Sequence, residues 1–86
     1  MAAGQGTKAI ADYSTVVGRF NNSTTDIFTV GIGTSNTSRY DGLTVSPNGL
    51  VAAPSATFDK IKNDGNNNTL ITKEYIEKEY QDYIIE

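Results

Sequence analysis

The stretch Ser14-Thr-Val-Val-Gly-Arg-Phe-Asn21 decides how this chain folds, because part of it repeats an earlier segment. Residues 2–7 read Ala-Ala-Gly-Gln-Gly-Thr, and residues 16–21 read Val-Val-Gly-Arg-Phe-Asn, fourteen positions later. Each copy has a small apolar residue two positions before a glycine. This spacing predicts a strand, a tight turn and another strand, with glycine where a side chain would clash. A third copy needs glycine at position 32, which is isoleucine, so the pattern continues into Gly33–Asn36 only with one inserted residue.

The middle of the chain has the patterns of short strands. Residues 28–33 alternate Phe, Val and Ile with Thr or Gly, which predicts a strand with one apolar face. Residues 43–52 contain two β-prone runs around Asn48-Gly49, which predicts a hairpin with a type I′ turn. Pro47 beside that turn donates no hydrogen bond, so we expect the hairpin at a sheet edge. Residues 57–61 are predicted to form a further short strand, and residues 63–68 a loop.

Residues 69–86 contain no Gly, Pro or Asn and are predicted to form a helix. Thr72 is the expected N-cap, and Glu74 with Lys78 forms an i,i+4 pair of the favourable order. The apolar residues of this segment fall on one helical face: Ile76, Tyr80, Tyr83 and Ile84. That face needs a partner, either the same helix in other copies of the chain or the chain's own sheet.

Composition limits the classes of function. The chain has 86 residues with no Cys and no His, which excludes disulfides, thiolate or imidazole metal sites and a Ser-His-Asp triad. Gly, Ser, Thr and Asn supply 33 residues, so little apolar material is left for the core of so short a chain. Because disulfides are excluded, we expect oligomerisation to stabilise the fold. The net charge of −3 comes entirely from residues 69–86, so no basic stripe favours nucleic acid. No apolar run is long enough for a membrane span.

The order of these motifs resembles two classes of surface protein. Ser14–Asn21 is similar to a degenerate head repeat of trimeric autotransporter adhesins. Ile27–Ser35 (IFTVGIGTS) followed by Arg39–Val51 (RYDGLTVSPNGLV) looks closer to the late part of bacteriophage tail-fibre and appendage proteins. Leu70–Ile76 (LITKEYI) likewise resembles a segment common late in phage fibres. The resemblance spans roughly residues 4–76, which is most of the chain.

The resemblance implies a mainly β fold with a C-terminal α-helix, in which a short β-roll-like repeat and β-hairpins form an intertwined homotrimer. Residues 1–68 would be the trimeric fibre domain, with the degenerate repeat at 2–21, and residues 69–86 a trimerising helix. The implied function is a non-enzymatic, structural and adhesive part of a virion tail, forming or supporting the tip that recognises the host. Its partners would be other copies of itself, a bacterial surface polysaccharide, and other tail or baseplate proteins.

Two alternatives stay open at this point. One is the head fragment of a bacterial trimeric autotransporter adhesin, displayed on the bacterial surface. The other is part of a self-cleaving fibre chaperone. For that activity, the scattered aspartates would have to act as general acid or base. The serines, as nucleophiles, would lack a histidine to activate them. We therefore expect no catalytic residues and no cofactor.

Two groups of residues are expected to make contacts. The candidate receptor contacts combine aromatic rings with polar groups in expected exposed turns, a composition that suits a sugar: Tyr13, Phe20, Arg39, Tyr40 and Asp41. The alternative is that Phe20 packs in the core and Arg39 pairs with Asp41 or with a neighbouring chain. The expected trimer interface consists of Val16, Val17, Phe28, Val30, Ile76, Tyr80 and Tyr83.

The loop Asp64-x-Asn66-x-Asn68 begins with the ligand spacing of a calcium loop. Position six is Thr69 instead of Gly and position twelve is Tyr75 instead of Glu, so the calcium-loop motif fails. We expect a solvated loop and no metal site formed by this motif. An ion on a trimer axis, ligated by Asp or Asn from three chains, is the remaining metal alternative.

Overall fold

The computed structural model describes the backbone of residues 1–85 and the side chains of residues 1–81. Five strands form one mixed sheet in the order of the sequence: β1 (Ala2–Gln5), β2 (Thr15–Arg19), β3 (Phe28–Ile32), β4 (Asp41–Val45) and β5 (Val51–Ala52). Two helices follow, α1 (Phe58–Lys62) and α2 (Lys73–Ile85). The expectation of a mainly β chain with a C-terminal helix is confirmed.

The repeat places β1, β2 and β3 side by side and parallel. Ala2 pairs with Val16 and Gly4 with Gly18, at the fourteen-residue offset read from the sequence. β3 then pairs with β2 at an offset of thirteen, with Gly18 opposite Gly31. The third copy is therefore one residue shorter and not one residue longer. The missing residue lies in the connection between strands. Residues 6–14 join β1 to β2, whereas the shorter segment 20–27 joins β2 to β3, and the strand pairing is kept.

Glycine permits the close contact between these strands. Gly4 and Gly18 have φ values of +135° and +95°, which residues with a side chain rarely adopt. A Cβ atom on Gly4 would overlap the carbonyl oxygen of Gly18, and one on Gly18 would overlap the carbonyl oxygen of Gly31. The spacing of the repeat thus places glycine at the positions where the backbones of neighbouring strands are in closest contact.

The two sides of the sheet differ in chemistry. Val16, Thr29 and Thr44 pair across the strands and are buried, so they define the inner face. The residues between them point to the opposite side, which we name the outer face: Ala3, Val17, Phe28, Val30, Ile32, Leu43, Val45 and Val51, with Thr15 and Arg19. Val16, at 2% exposure, is the one fully buried hydrophobic residue among those described.

A hairpin joins β4 to β5 within the stretch where the sequence predicts one, and β5 forms a sheet edge. The predicted type I′ turn is wrong. That turn needs a positive φ at both Asn48 and Gly49, and only Gly49 has one. The Gly49 N–H donates to the Ser46 carbonyl at 3.0 Å, which makes Pro47 and Asn48 the central residues of the turn. Proline favours the first central position with its fixed negative φ, so the turn is displaced by one residue.

The chain divides into two compact units, Met1–Ser55 and a second unit that begins at Ala56, whereas the sequence placed a boundary after residue 68. The strand predicted for residues 57–61 is wrong, because α1 forms there. Thr57 caps α1, the Phe58 ring lies 5.3 Å from the Tyr75 ring of α2, and the Phe58 N–H donates to Glu74 at 3.0 Å. Packing against α2 therefore overrides local β-propensity.

Helix α2 begins at Lys73 and not at residue 69. Its N-cap is Thr72 as predicted, since the Thr72 hydroxyl accepts the Tyr75 N–H at 3.2 Å. The predicted Glu74–Lys78 ion pair is present at 3.9 Å. Tyr75 faces α1, while Ile76 and Tyr80 are exposed.

The glycine contact predicts a large difference between two substitutions in the sheet. Gly18→Ala should lower the free energy of unfolding by at least about 2 kcal/mol, because the added Cβ overlaps backbone and the φ is positive. Gly42→Ala is the matched control, since its φ is not positive and its Cβ would approach the Ile32 Cγ2 methyl at 3.0 Å and the Val30 carbonyl oxygen at 3.7 Å, without the overlap of backbone atoms seen at Gly18. Urea denaturation followed by circular dichroism measures both. Equal midpoints for the two variants would contradict this role of Gly18.

Candidate functional site

Four of the five candidate receptor residues lie together where β2 ends. The Tyr40 N–H donates to the Phe20 carbonyl at 3.2 Å, and the Arg39 guanidinium carbon lies 5.6 Å from the centre of the Phe20 ring. We name this region the Phe20–Arg39 corner: Phe20, Asn21, Arg39, Tyr40 and Asp41. Tyr13 lies apart, in a turn just before β2 that the Ser14 N–H closes on the Ala11 carbonyl. The five residues therefore do not form one surface.

Arg39 is held in place by backbone and side-chain acceptors from three segments. Its Nη1 donates to the carbonyls of Gly6 and Asn21 at 3.0 and 3.1 Å, and its Nη2 donates to Asn36 Oδ1 at 2.7 Å. These bonds use three of the five guanidinium N–H groups. The alternative pairing of Arg39 with Asp41 does not occur among the described contacts. Arg39 ties together the connections that follow β1, β2 and β3.

The Phe20 ring supports this arrangement. Phe20 is half-buried, and a Cβ added at Gly6 would run into its ring. Its φ is +39°, in the left-handed region that costs a non-glycine residue of order 1–3 kcal/mol. Gly6, fourteen positions earlier, has a φ of +63°, so the repeat extends to the backbone conformation. Phe20 packs against Gly6 and Arg39 instead of presenting a free ring.

Asp41 is buried at 7% exposure, so the expectation that it lies in an exposed turn is wrong. One carboxylate oxygen accepts the Asn22 N–H at 2.7 Å, and the other accepts the Ser23 N–H at 2.8 Å. Its carbonyl also accepts the Ser55 hydroxyl at 2.7 Å. Hydrogen bonds to an ionised acceptor are the strong ones, so Asp41 fixes the connection between β2 and β3 to the start of β4.

Asn21 is the residue whose importance the sequence reasoning missed. It is 3% exposed, its Oδ1 accepts the Lys8 N–H at 2.7 Å, and its Nδ2 donates to the Lys8 carbonyl at 3.0 Å. The side-chain amide thus pairs with the Lys8 backbone as a neighbouring strand would. Its place as the last position of the repeat was the available signal, since Thr7 occupies that position in the first copy.

Among the candidate receptor residues, the two tyrosines have exposed rings. Tyr13 is fully exposed with a φ of +63°, and Tyr40 is 57% exposed. A ring held outside the core can stack on the apolar face of a sugar, and the phenolic hydroxyl can donate or accept a hydrogen bond. Tyr13 and Tyr40, and not Phe20 or Asp41, have the exposure that such contact requires.

The expected interface residues are divided among three environments. Val16 is buried within the chain's own inner face, so it is already covered without a partner. Val17, Phe28 and Val30 are half-buried on the outer face, and Ile76 and Tyr80 are exposed on α2. Tyr83 lies outside the residues whose side chains the structure describes.

The loop that carries the partial calcium spacing is closed by its own hydrogen bonds. Asp64 Oδ1 accepts the Asn66 N–H at 3.3 Å, Asp64 Oδ2 accepts the Thr69 hydroxyl, and Asn66 Oδ1 accepts the Asn68 N–H at 3.0 Å. The Thr69 hydroxyl and the Asn66 N–H lower the pKa of the Asp64 carboxyl below its usual 3.8. Within the described residues, no three acidic side chains converge as a metal site.

Comparison with known proteins adds no relative: no family model, curated protein or solved structure matches this chain. In the part of the chain that the structure describes, no helix has the length and apolar character needed to cross a bilayer.

Two Asp→Asn substitutions compare what a buried and an exposed carboxylate contribute to stability. Asp41→Asn replaces one acceptor oxygen by an N–H₂ group that faces a backbone donor, so we expect a loss of about 2 kcal/mol in unfolding free energy. Asp12→Asn, at an exposed position, is the control and should change stability by less than about 0.5 kcal/mol. Urea denaturation checks both, and equal effects would remove the structural role assigned to Asp41.

The closed loop predicts a pH effect at Asp64. A lowered folded-state pKa means that the carboxylate stabilises the fold above pH 3.8, and that this contribution is lost as the pH falls through the folded-state value. Thr69→Val removes the larger cause and should raise the pKa of Asp64 toward 3.8. An NMR titration of the carboxyl carbon measures this shift. The same pKa in both proteins would contradict the hydroxyl's role.

Proposed function

We propose that this chain is a non-enzymatic part of a homotrimeric bacteriophage tail fibre, which forms or supports the surface that contacts the host. The observation that carries the proposal is the apolar outer face of the sheet. Rows of Val, Phe, Ile and Leu side chains lie there half-buried or exposed, while the inner face holds small and polar residues. This distribution is the reverse of the one expected for a self-sufficient monomer.

The outer face has the chemistry of an interface. Val17, Val30 and Leu43 form one row across three strands, and Phe28 pairs with Val45 beside it. Covering the exposed remainder of such side chains in a neighbouring copy is worth roughly 1 kcal/mol for each residue. The surface is continuous because pairing across the sheet keeps these residues on one side.

The small apolar content of the chain's interior also supports the proposal. The buried polar residues of the first unit are Ser14, Asn21, Asp41 and the inner-face pair Thr29–Thr44, and they fill space with hydrogen-bonding groups instead of large apolar ones. Ser14 Oγ and Thr29 Oγ1 find no hydrogen-bond partner among the described residues, which costs stability. A chain with so small an apolar core gains most from burial against other copies.

The fibre assignment and the number three are supported by the resemblance of residues 4–76 to phage fibre proteins. The parallel pairing of β1, β2 and β3 through connections without helices fits a short β-roll-like repeat. On α2, Ile76 and Tyr80 form an exposed apolar strip that a three-helix contact would cover. Tyr13 and Tyr40 would then supply contact with a bacterial surface polysaccharide, and the site of action would be the virion tail.

One observation also favours the head of a trimeric autotransporter adhesin: the fourteen-residue parallel register of β1 and β2. The two readings share the trimer and the adhesive role and differ in location. A membrane anchor encoded further along the same gene would identify the bacterial adhesin. Tail and baseplate genes beside it would identify the phage fibre.

The proposal predicts the solution mass. Light scattering coupled to size exclusion should give about 28 kDa, three copies of the 9.3 kDa chain. Val30→Lys should dissociate the trimer because it places a charge on the outer face, while Thr24→Lys, at an exposed connection position, should leave the mass unchanged. A folded chain of 9.3 kDa at micromolar concentration would contradict the proposal.

A further inference from the structure

The turn between β4 and β5 brings together an asparagine amide, a glycine nitrogen and a hydroxyl. Of the eight asparagines in the chain, only Asn48 is followed by glycine. The nitrogen that follows an asparagine lies within reach of the side-chain amide carbon, and glycine leaves that approach unobstructed. Asn48 and Gly49 are both exposed, and no atom beyond the chain neighbours lies within 4 Å of the Cβ position of Gly49. The Asn48 amide is therefore open to this nitrogen and to water.

The Ser46 side chain contacts the Asn48 amide. The Ser46 hydroxyl donates to Asn48 Oδ1 and accepts the Leu50 N–H at 3.2 Å. When a nitrogen attacks an amide carbon, negative charge develops on the amide oxygen, which here is Oδ1. A donor that is already in place at such an oxygen lowers the barrier to the attack. The hydroxyl therefore lies where it stabilises the transition state of an attack on Asn48.

The position of the turn at a sheet edge permits the movement that the attack requires. The Gly49 N–H donates to the Ser46 carbonyl at 3.0 Å, and this bond must open before the nitrogen reacts. The turn leads into β5, which has two residues and pairs with β4 alone. Short exposed segments of this kind open locally at a free energy far below that of global unfolding. The Gly49 nitrogen is therefore released while the rest of the sheet stays folded.

We propose that Asn48-Gly49 is a self-modification site, at which the chain converts Asn48 to aspartate or isoaspartate with the Ser46 hydroxyl as oxyanion donor. Hydroxide removes the Gly49 N–H proton, and the nitrogen attacks Asn48 Cγ to form a cyclic imide. The bond from Cγ to Nδ2 breaks, and Nδ2 leaves as ammonia with a proton from water, which regenerates the hydroxide. Water then opens the imide at either of its carbonyl carbons. This inference does not depend on the fibre proposal.

The isoaspartate product changes the turn itself. Its backbone runs through the former side chain and is one carbon longer, so the short β5 loses its register with β4. The Ser46 N–H, which donates to the Leu50 carbonyl at 2.9 Å, should then exchange at least about tenfold faster. Asn48→Asp carries the same charge on a normal backbone and is the control that should keep slow exchange. Equal exchange in the two proteins would contradict this effect of the modification.

Mass spectrometry of tryptic peptides from the full chain follows the reaction during incubation at mildly alkaline pH. Cleavage after Arg39 and Lys60 gives the peptide 40–60, in which Asn48 is the single asparagine. The mass of this peptide should rise by about 1 Da, at least about tenfold faster than that of peptide 20–39, which contains three asparagines but no Asn-Gly. Equal rates for the two peptides would overturn the site.

Substitutions of Ser46 separate oxyanion donation from support of the turn. Removal of the acceptor of the Leu50 N–H loosens the turn, which by itself speeds the reaction, whereas removal of the oxyanion donor slows it. We expect Ser46→Ala to react about threefold to tenfold more slowly than the natural chain, since water competes with the donor at this exposed site. Ser46→Thr keeps the hydroxyl and should react at the natural rate, and in urea all three should react equally. A rate for Ser46→Ala that is unchanged or faster in the folded chain, or the same slowing in urea, would overturn the role of the hydroxyl.

Discussion

The close approach of backbone to backbone at Gly4, Gly18 and Gly31 is the constraint on which the rest of this fold depends. It allows three parallel strands to lie side by side, joined by connections that contain no helix. Parallel strands usually need a longer crossover, and here the connecting segments return directly to the start of the next strand. The glycines therefore decide the topology, and the loop lengths only adjust to it, as the shorter second connection shows.

This arrangement divides the sheet between two kinds of chemistry. The inner face, with Val16, Thr29 and Thr44, is filled by small side chains and by the groups that the connecting segments bring over it. The larger apolar side chains of β2, β3 and β4 then lie on the outer face, where the chain's own first unit does not bury them fully. The proposal of a shared core follows from this physical imbalance.

The Phe20–Arg39 corner illustrates how polar side chains can take the place of a hydrophobic core in a small unit. Arg39, Asp41 and Asn21 each bond mainly to backbone groups of neighbouring connections, so they fix three loops that have little apolar material of their own. Such side chains are conformational supports. Tyr13 and Tyr40 are held outside the core by the same loops, so their rings are exposed to solvent.

Features that depend on local chemistry and spacing could be predicted from the sequence. The small-x-Gly repeat predicted strands at both copies, with glycine where a side chain would clash. Pro47 and Asn48-Gly49 predicted a hairpin at an edge, and Thr72 predicted a helix cap. The other features could not be predicted, because they depend on contacts between residues distant in the chain. The segment 58–62 became helical when Phe58 packed on Tyr75, the third repeat shifted to Gly31 through a shorter connection, and Asp41 was buried by the backbone of Asn22 and Ser23. Local propensity differs by only about 1 kcal/mol between states, and a buried ring or a charge-assisted hydrogen bond contributes as much or more.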